Sequence, residues 1–495
     1  MEHDTAINHL LYMDDLKIYA NNKINLRVLI DSTEIFTRDI GMEFGLNKCS
    51  VLHLAAGRRK EHQGEGHILL SGEEFRHLQI DERYKYLGIN EAGKIDHGEI
   101  RQQIQKEYYR RVKNLTGSQL NARNLFKAIN IYAVPVLLYT FGVINYKTSD
   151  LKKIDVKTRK LLAMSKAHQQ KADIERLYLP IDEGGRGLTS LETLHKTQII
   201  KYKAKNEKYT DKEIKHAIVK TRIGKIKAKP LHGQFYKAVL EKENIDREQS
   251  FRWLKKQPVS PSLESAIFAI QDQAVMTKQH ERDILKKPVD GKCRLCLVKD
   301  ETTQHIISGC EKLAGTYYTK RHNNIVQYIF WTLAKKHKFP VSNLWWQEHL
   351  TQPQVKENES AKLMWEIPVQ TDVTIVHNRP DIIYTDKTQN KTYLIDVTVP
   401  SDYNIGAKEI EKLSKYHPLK REIARLWKTA TEVIPIAVGS TGTIAKSLHK
   451  YCTKLDANIQ THIIQKQAAI HTTTIISKVL GDSVFVSGGT EPPFP

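Results

Sequence analysis

Residues 10–20 read LLYMDDLKIYA, and the order of apolar and acidic side chains in this stretch decides how the front of the chain folds. From Ile7 to Ala20 two apolar stretches flank Asp14 and Asp15, which predicts strand, tight turn and strand with both acids at the turn. Adjacent carboxylates so placed can reach divalent metal ions that activate a 3′ hydroxyl and steady a leaving diphosphate. An Asp-Asp turn by itself is commonplace, so its surroundings carry the weight. Outward from it, Leu26, Leu29, Ile30, Thr33 and Ile40 recur at helical spacing over 24–41, and short strand-like pieces follow around 49–55, 67–70 and 84–89, a mixed α/β pattern.

Beyond residue 98 the pattern turns helical. Ile100, Ile104, Tyr108 and Val112 recur every four residues, and a second helix is expected from Asn124 to Tyr132, ended or kinked by Pro135. Gly184 to Gly187 reads as a flexible turn. Between 201 and 230 eleven Lys or Arg stand against Glu207, Asp211 and Glu213. Lys201, Lys203, Lys205, Lys225, Lys227 and Lys229, interleaved with Tyr202 and Tyr209, are candidate nucleic-acid contacts, although such a run is also what a solvated helix face looks like. The chain's formal charge of +21 favours a polyanionic partner, because each neutralised phosphate releases a condensed counterion.

Only five cysteines occur in 495 residues, and three fall in one short segment. Cys293-x2-Cys296, then His305, then Cys310 offers four ligands for one tetrahedral Zn2+. His322, further on, is an alternative ligand. From about 360, strand-like segments at 367–376, 380–385 and 392–399, a helix from Gly406 to Trp427 and a strand at 433–438 follow in α/β order. Asp381 lies in Arg379-Pro380-Asp381 and Asp396 in the strand TYLIDVTV. Two carboxylates from neighbouring strands can bind Mg2+ or Mn2+, while a lysine from Lys408, Lys412 or Lys415 orients the attacking water or meets developing charge. Thr398, not a lysine, stands two residues beyond Asp396; among the helix lysines Lys412 is favoured over Lys415, with ordinary Glu411–Lys415 pairing as the competing reading.

These shifts in pattern divide an α/β multidomain chain at 1–97, 98–200, 201–288, 289–345, 346–450 and 451–495, the last a tail expected to end in disorder. No apolar run of membrane length and no signal-peptide order is present, so an intracellular protein without a membrane partner is expected.

The succession LLYMDDLKIYA, GMEFGLNKCSVL (41–52) and RYKYLGI (83–89) resembles the later palm motifs of reverse transcriptases. NARNLFKAINIYAVPVLLYTFGVINY (121–146) and IERLYLPIDEGGRGL (174–188) resemble the thumb and connector of non-LTR retrotransposon enzymes. The Cys-Cys-His-Cys element with Arg321-His322-Asn323, and then the carboxylates and helix lysines, resemble the zinc knuckle and restriction-like endonuclease of the class that inserts into ribosomal DNA. The resemblance implies that Asp14 and Asp15 are polymerase metal ligands, that Lys48 is the palm lysine, that Tyr86, Leu87 and Gly88 form the primer-grip turn, and that the knuckle holds nucleic acid. It further implies target-primed reverse transcription in the nucleus, with element RNA and target DNA as partners. Only eleven residues precede Tyr12, so the further palm aspartate and the fingers are expected to be missing and the polymerase site incomplete. The alternative from another class is a nucleic-acid-binding remnant without enzymatic activity.

Overall fold

Asp14 sits where the chain can reverse. His9–Tyr12 (β1) and Asp15–Ile18 (β2) pair antiparallel with Tyr12 opposite Asp15, leaving Met13 and Asp14 as a two-residue turn in which Met13 adopts φ +54°. The computed structural model describes residues 7–54, 66–91, 95–203, 210–256, 258–348 and 354–481, which form two compact units: Met1–Glu107 with Gly142–Asn145, and Tyr108–Phe141 with Tyr146–Pro495. The fold is mixed α/β, as expected.

In the first unit, helix α1 (Lys23–Asp39) begins where the Asn22 side chain accepts the Asn25 N–H, and it stops before Gly41 at φ +71°. Its inward residue Ile30 packs on Val51, Leu69 and Phe75, which come from or border β3 (Ser50–Val51), β4 (His67–Ile68) and β5 (Glu74–His77), ordered β3-β5-β4. A second hairpin joins β6 (Tyr84–Tyr86) to β7 (Ile89–Glu91). Its turn residues Leu87 and Gly88 both have positive φ, the primed geometry that matches strand twist. Lys17 of β2 donates to Tyr84 Oη at 2.7 Å and to the Glu91 carboxylate, and so binds the two hairpins together.

The second unit opens with helices. Ala122–Ala128 and Val134–Leu138 are joined by a π turn over Ile129–Ala133, so Pro135 falls at the start of the second piece instead of ending the run. There its missing N–H costs nothing, because a first-turn N–H has no helical partner. Helices α2 (Thr148–Met164), α3 (Asp211–Ala228) and α4 (Pro261–Gln271) follow. The Gly184–Gly187 turn is packed, not flexible: a Cβ on Gly185 would lie 2.2 Å from the Leu179 carbonyl oxygen, and the buried Arg186 donates to Glu264 of α4 at 2.7 Å.

A five-stranded sheet closes the unit in the order β12-β11-β10-β9-β8. Its strands are β8 (Gln354–Glu357), β9 (Ala361–Trp365), β10 (Ile382–Asp386), β11 (Lys391–Thr398) and β12 (Ala430–Ala437). The three pairings among β8, β9, β10 and β11 run antiparallel; β11 and β12 are parallel, joined across one face by α6 (Ile405–Trp427), while α5 (Thr319–Lys336) precedes the sheet. The two-residue period sorts β11 cleanly. Tyr393, Ile395 and Val397 join Ile325, Val326, Ile329 and Leu333 of α5 on one face, and Leu394 joins Tyr416, Leu419 and Ile423 of α6 on the other.

Two expectations fail here. Residues 367–376 form no strand: Pro368 has no N–H to give a ladder, and Val369 and Asn378 bond to each other to close an irregular loop. The segment after 450 holds the end of α7 (Lys446–Lys454) and all of α8 (Thr461–Leu480). Helix α8 is buried on much of its circumference because it sits between cores, with Ile464 and Ala468 in the sheet's cluster and Ile475, Ile476, Val479 and Leu480 against the cysteine segment. Among the described residues no helix is long and apolar enough to cross a membrane.

Candidate functional site

Register brings the two strand acids together. Ile382 pairs with Ile395, so Asp381 and Asp396, one step further on, lie side by side and project to the same face. The Asp381 Oδ2 accepts the Val397 N–H at 2.6 Å, which pins the carboxylate to the end of β11. Asp396 is almost fully buried, and its Oδ2 lies 2.8 Å from the Lys412 ammonium without an aligned hydrogen bond. Burial, followed by the Asp381 charge, pushes the Asp396 carboxyl above its usual value, and Lys412 pulls the other way. On α6, Lys412, Tyr416, Leu419 and Ile423 recur at helical spacing on the sheet-facing side. Tyr416 donates to the Arg379 carbonyl at 3.2 Å, and burial together with the Asp396 charge raises its phenol far above the ordinary range.

Lys415 is placed elsewhere, its ammonium 4.7 Å from the Tyr416 ring centroid. Lys408 pairs with Glu411 at 2.5 Å, and among the described residues Glu411 and Lys415 make no ion pair.

His322, which sequence reasoning offers to the cysteines as an alternative ligand, lies instead at the carboxylates. It stands in the first turn of α5, and its Nε2 donates to Asp381 Oδ2 at 3.0 Å and to the Val397 carbonyl at 3.1 Å; Nδ1 meets the Asn323 side chain at 2.9 Å. Burial lowers its pKa, but the Asp381 charge and the hydrogen bonds to Asp381 and Asn323 outweigh that and hold it at about 9. The signal was available. His322 shares a helical stripe with Ile325, Val326 and Ile329, so it had to face the sheet.

Cys293, Cys296, His305 and Cys310 offer ligand atoms that all lie within 4.8 Å of one another. The chain turns tightly here, Leu297 N–H bonding the Cys293 carbonyl and Leu297 taking φ +60°. Cys293 and Cys310 Sγ are 3.9 Å apart, and Cys296 Sγ is 3.3 Å from His305 Nε2. Backbone N–H groups of Lys299 and Val298 aimed at the Cys296 sulfur pull that thiol down to about 6. The cluster is compatible with zinc. It is packed against α8, where Arg294 bonds the buried Glu301 and the Val479 carbonyl.

The basic segment looks different in three dimensions. Lys201 pairs with Asp211 at 2.7 Å, Lys225 with Glu175 at 3.7 Å, Lys229 with the buried Asp173 at 2.8 Å, and Lys227 with Glu241. The side chain of Lys203 and all of Lys205 and Tyr209 lie outside the described residues. In the first unit Asp14, Asp15 and Lys48 are exposed, Lys48 at the end of a short 3-10 turn.

A mixed α/β chain with a Cys3His cluster and a paired-carboxylate centre is the class these features define. No protein-family model matches the chain. It is similar to the "Retrovirus-related Pol polyprotein from type-1 retrotransposable element R2" of Nasonia vitripennis, 23% identical over 192 residues, 38% of this chain and 18% of that protein. It is also similar to the "Retrovirus-related Pol polyprotein from type-2 retrotransposable element R2DM" of Drosophila melanogaster, 23% identical over 189 residues, 37% of this chain and 17% of that protein. These matches bear out the resemblance to non-LTR retrotransposon Pol polyproteins of the R2 type. The chain spans less than a fifth of the length of the curated relatives it matches.

Proposed function

We propose that the carboxy-terminal part of this chain is a restriction-like DNA endonuclease of a non-LTR retrotransposon Pol polyprotein, working in the nucleus in target-primed reverse transcription. Residues 1–97 are then the end of a reverse-transcriptase palm, 98–200 its thumb, 289–345 the zinc-bearing element and 346–450 the nuclease. The single observation that carries this reading is the meeting of Asp381, Asp396 and Lys412 at the end of adjacent strands. The donor set fits a hard divalent cation, since a buried Asp396 oxygen lacks an aligned hydrogen bond and only one Asp381 oxygen is engaged. Asp381 and Asp396 would hold Mg2+ or Mn2+, which when bound lowers the pKa of water and offsets charge on a phosphoryl oxygen.

The chain's own residues supply the rest. His322 and the Val397 N–H fix the orientation of Asp381 from behind, and Lys412 provides positive charge beside Asp396, where negative charge develops during attack on phosphorus. The four Cys3His ligands hold one Zn2+ that ties their loop to α8. That burial supports a bracing role for the zinc.

The test is strand nicking of supercoiled DNA by the purified chain with Mg2+. Asp381→Ala and Asp396→Ala are expected to keep DNA affinity and lose cleavage. Lys412→Ala should lower the rate by about 10²–10³-fold, and Lys415→Ala by less. Nicking by both aspartate variants at the wild-type rate takes the activity away from this centre, and a wild-type chain that binds DNA without nicking it leaves the nucleic-acid-binding remnant as the correct reading.

A further inference from the structure

The nuclease face carries a second feature, a groove of about 370 Å³ lined by Leu413, His417 and Lys420 of α6, Glu432 and Val433 of β12, and Ser447, Lys450, Tyr451 and Lys454 of α7. Its three sides follow from helix and strand periodicity. Leu413, His417 and Lys420 share one stripe of α6, next to the stripe of Lys412 and Tyr416 that faces the sheet, and Ser447, Lys450, Tyr451 and Lys454 share one stripe of α7. The floor is β12, the outer strand of the sheet.

The charges in this groove are arranged unlike those of the basic segment. Its carboxylate, Glu432, is neutralised by Lys454. The nearby Glu409 is turned to the Tyr451 hydroxyl, which it raises together with burial. Lys420 and Lys450 have no carboxylate partner among the described residues. Lys225, Lys227 and Lys229, by contrast, are each bound to an acid. Two uncommitted ammonium groups and the His417 imidazole thus line a solvent-open trough, where a polyanion recovers Coulomb energy without breaking an internal pair.

Two rulers put the groove beside the carboxylates. Lys420 is eight residues along α6 from Lys412, or about 12 Å at 1.5 Å per residue. Val433 pairs with Leu394, two residues from Asp396, or about 7 Å along the strand. One strand of a duplex presents a phosphate every 3.4 Å or so of helix axis, so the groove meets backbone about two to four nucleotides from the bond at the carboxylates.

We propose that this groove binds the phosphate backbone of the DNA duplex on which Asp381 and Asp396 act, with Lys420 and Lys450 as its contacts. The proposal rests on the nuclease reading above and specifies where that domain grips its substrate. It is tested with the full chain and the double variant Lys420→Gln/Lys450→Gln, by titrating a short fluorescent DNA duplex at several salt concentrations. A hairpin RNA of equal length is run alongside. For DNA the slope of log affinity against log salt should fall by about 1.8, two phosphates at about 0.9 each, and the DNA concentration that half-saturates nicking should rise with it. An unchanged slope for DNA overturns the proposal. So does a slope lost on RNA alone, which assigns the groove to RNA, or a reduced nicking rate with the DNA slope intact, which makes the lysines structural. If the wild type does not nick at all, the nuclease reading fails, and the DNA slope still decides whether the groove grips duplex.

Discussion

Replacing Lys412 by Met removes the cation beside Asp396 while keeping most of the side-chain volume, and the structure fixes both the size and the pH dependence of the response. The pair is buried, with side-chain exposures of 16% for Lys412 and 3% for Asp396, so screening by solvent is slight. Breaking such a pair from one side costs about 3–5 kcal/mol, because the remaining charge stays buried. Asp396 has an escape, which is to take up a proton. Holding a carboxyl protonated at about pH 7, against about 3.9 in the unfolded chain, costs about 1.4 kcal/mol per pH unit, or about 4 kcal/mol. The loss is therefore capped near 4 kcal/mol at about pH 7 and near 1.5 kcal/mol at about pH 5. The sign follows from the direction of the shift. Burial and Asp381 already hold Asp396 above its usual value, so its contribution is most favourable at low pH and is lost as pH rises; removing Lys412 steepens that loss. Urea unfolding followed by circular dichroism, in EDTA at the two pH values, measures the difference between wild type and Lys412→Met. An equal loss at both pH values, or a loss under 1 kcal/mol or so near pH 7, refutes a buried Lys412–Asp396 pair.

Two other outcomes are expected. Metal analysis should find one zinc per chain, and Cys296→Ser should lower both that stoichiometry and the melting temperature, since the cluster is packed into the core against α8. His471 is half-buried beside Asn324, and desolvation, with Lys320 and Arg321 adding to it, holds its imidazole down to about 4, so the folded chain keeps it neutral. Stability from this group is full above about pH 6.5 and drains as pH falls toward 4, by at most about 3 kcal/mol, so His471→Gln should flatten the acid limb of a pH–stability curve measured by urea unfolding.

Which of these residues can be found without coordinates depends on how local the physics is. The Asp14 turn and the Leu87-Gly88 turn are settled by neighbours within two residues, and both hairpins follow from pattern alone. Strands β10 and β11 are similarly local, being apolar runs bounded by Pro380 and Pro400, whereas Ile367, Val369 and Ile375 imitate a strand's alternation around a proline that forbids the ladder. The choice between Lys412 and Lys415 is a matter of helix phase, and phase can be read from Tyr416, Leu419 and Ile423.

The misses share another cause. His322 lies near the cysteines in sequence and was weighed as their ligand, but α5 starts at the cysteine segment and lays its first turn against the end of β11, so proximity in sequence pointed to the wrong metal centre. Helix α8 was given to the tail because nothing in its own composition says that it separates two cores. The basic segment shows the limit most directly. Its lysines are countable, but the acids opposite Lys225, Lys227 and Lys229, which are Glu175, Glu241 and Asp173, lie outside the segment, Asp173 standing 56 residues before Lys229. A charge count therefore finds where cations are made, and the fold tells which of them face an acid: Lys225, Lys227 and Lys229 do, and Lys420 and Lys450 do not among the described residues.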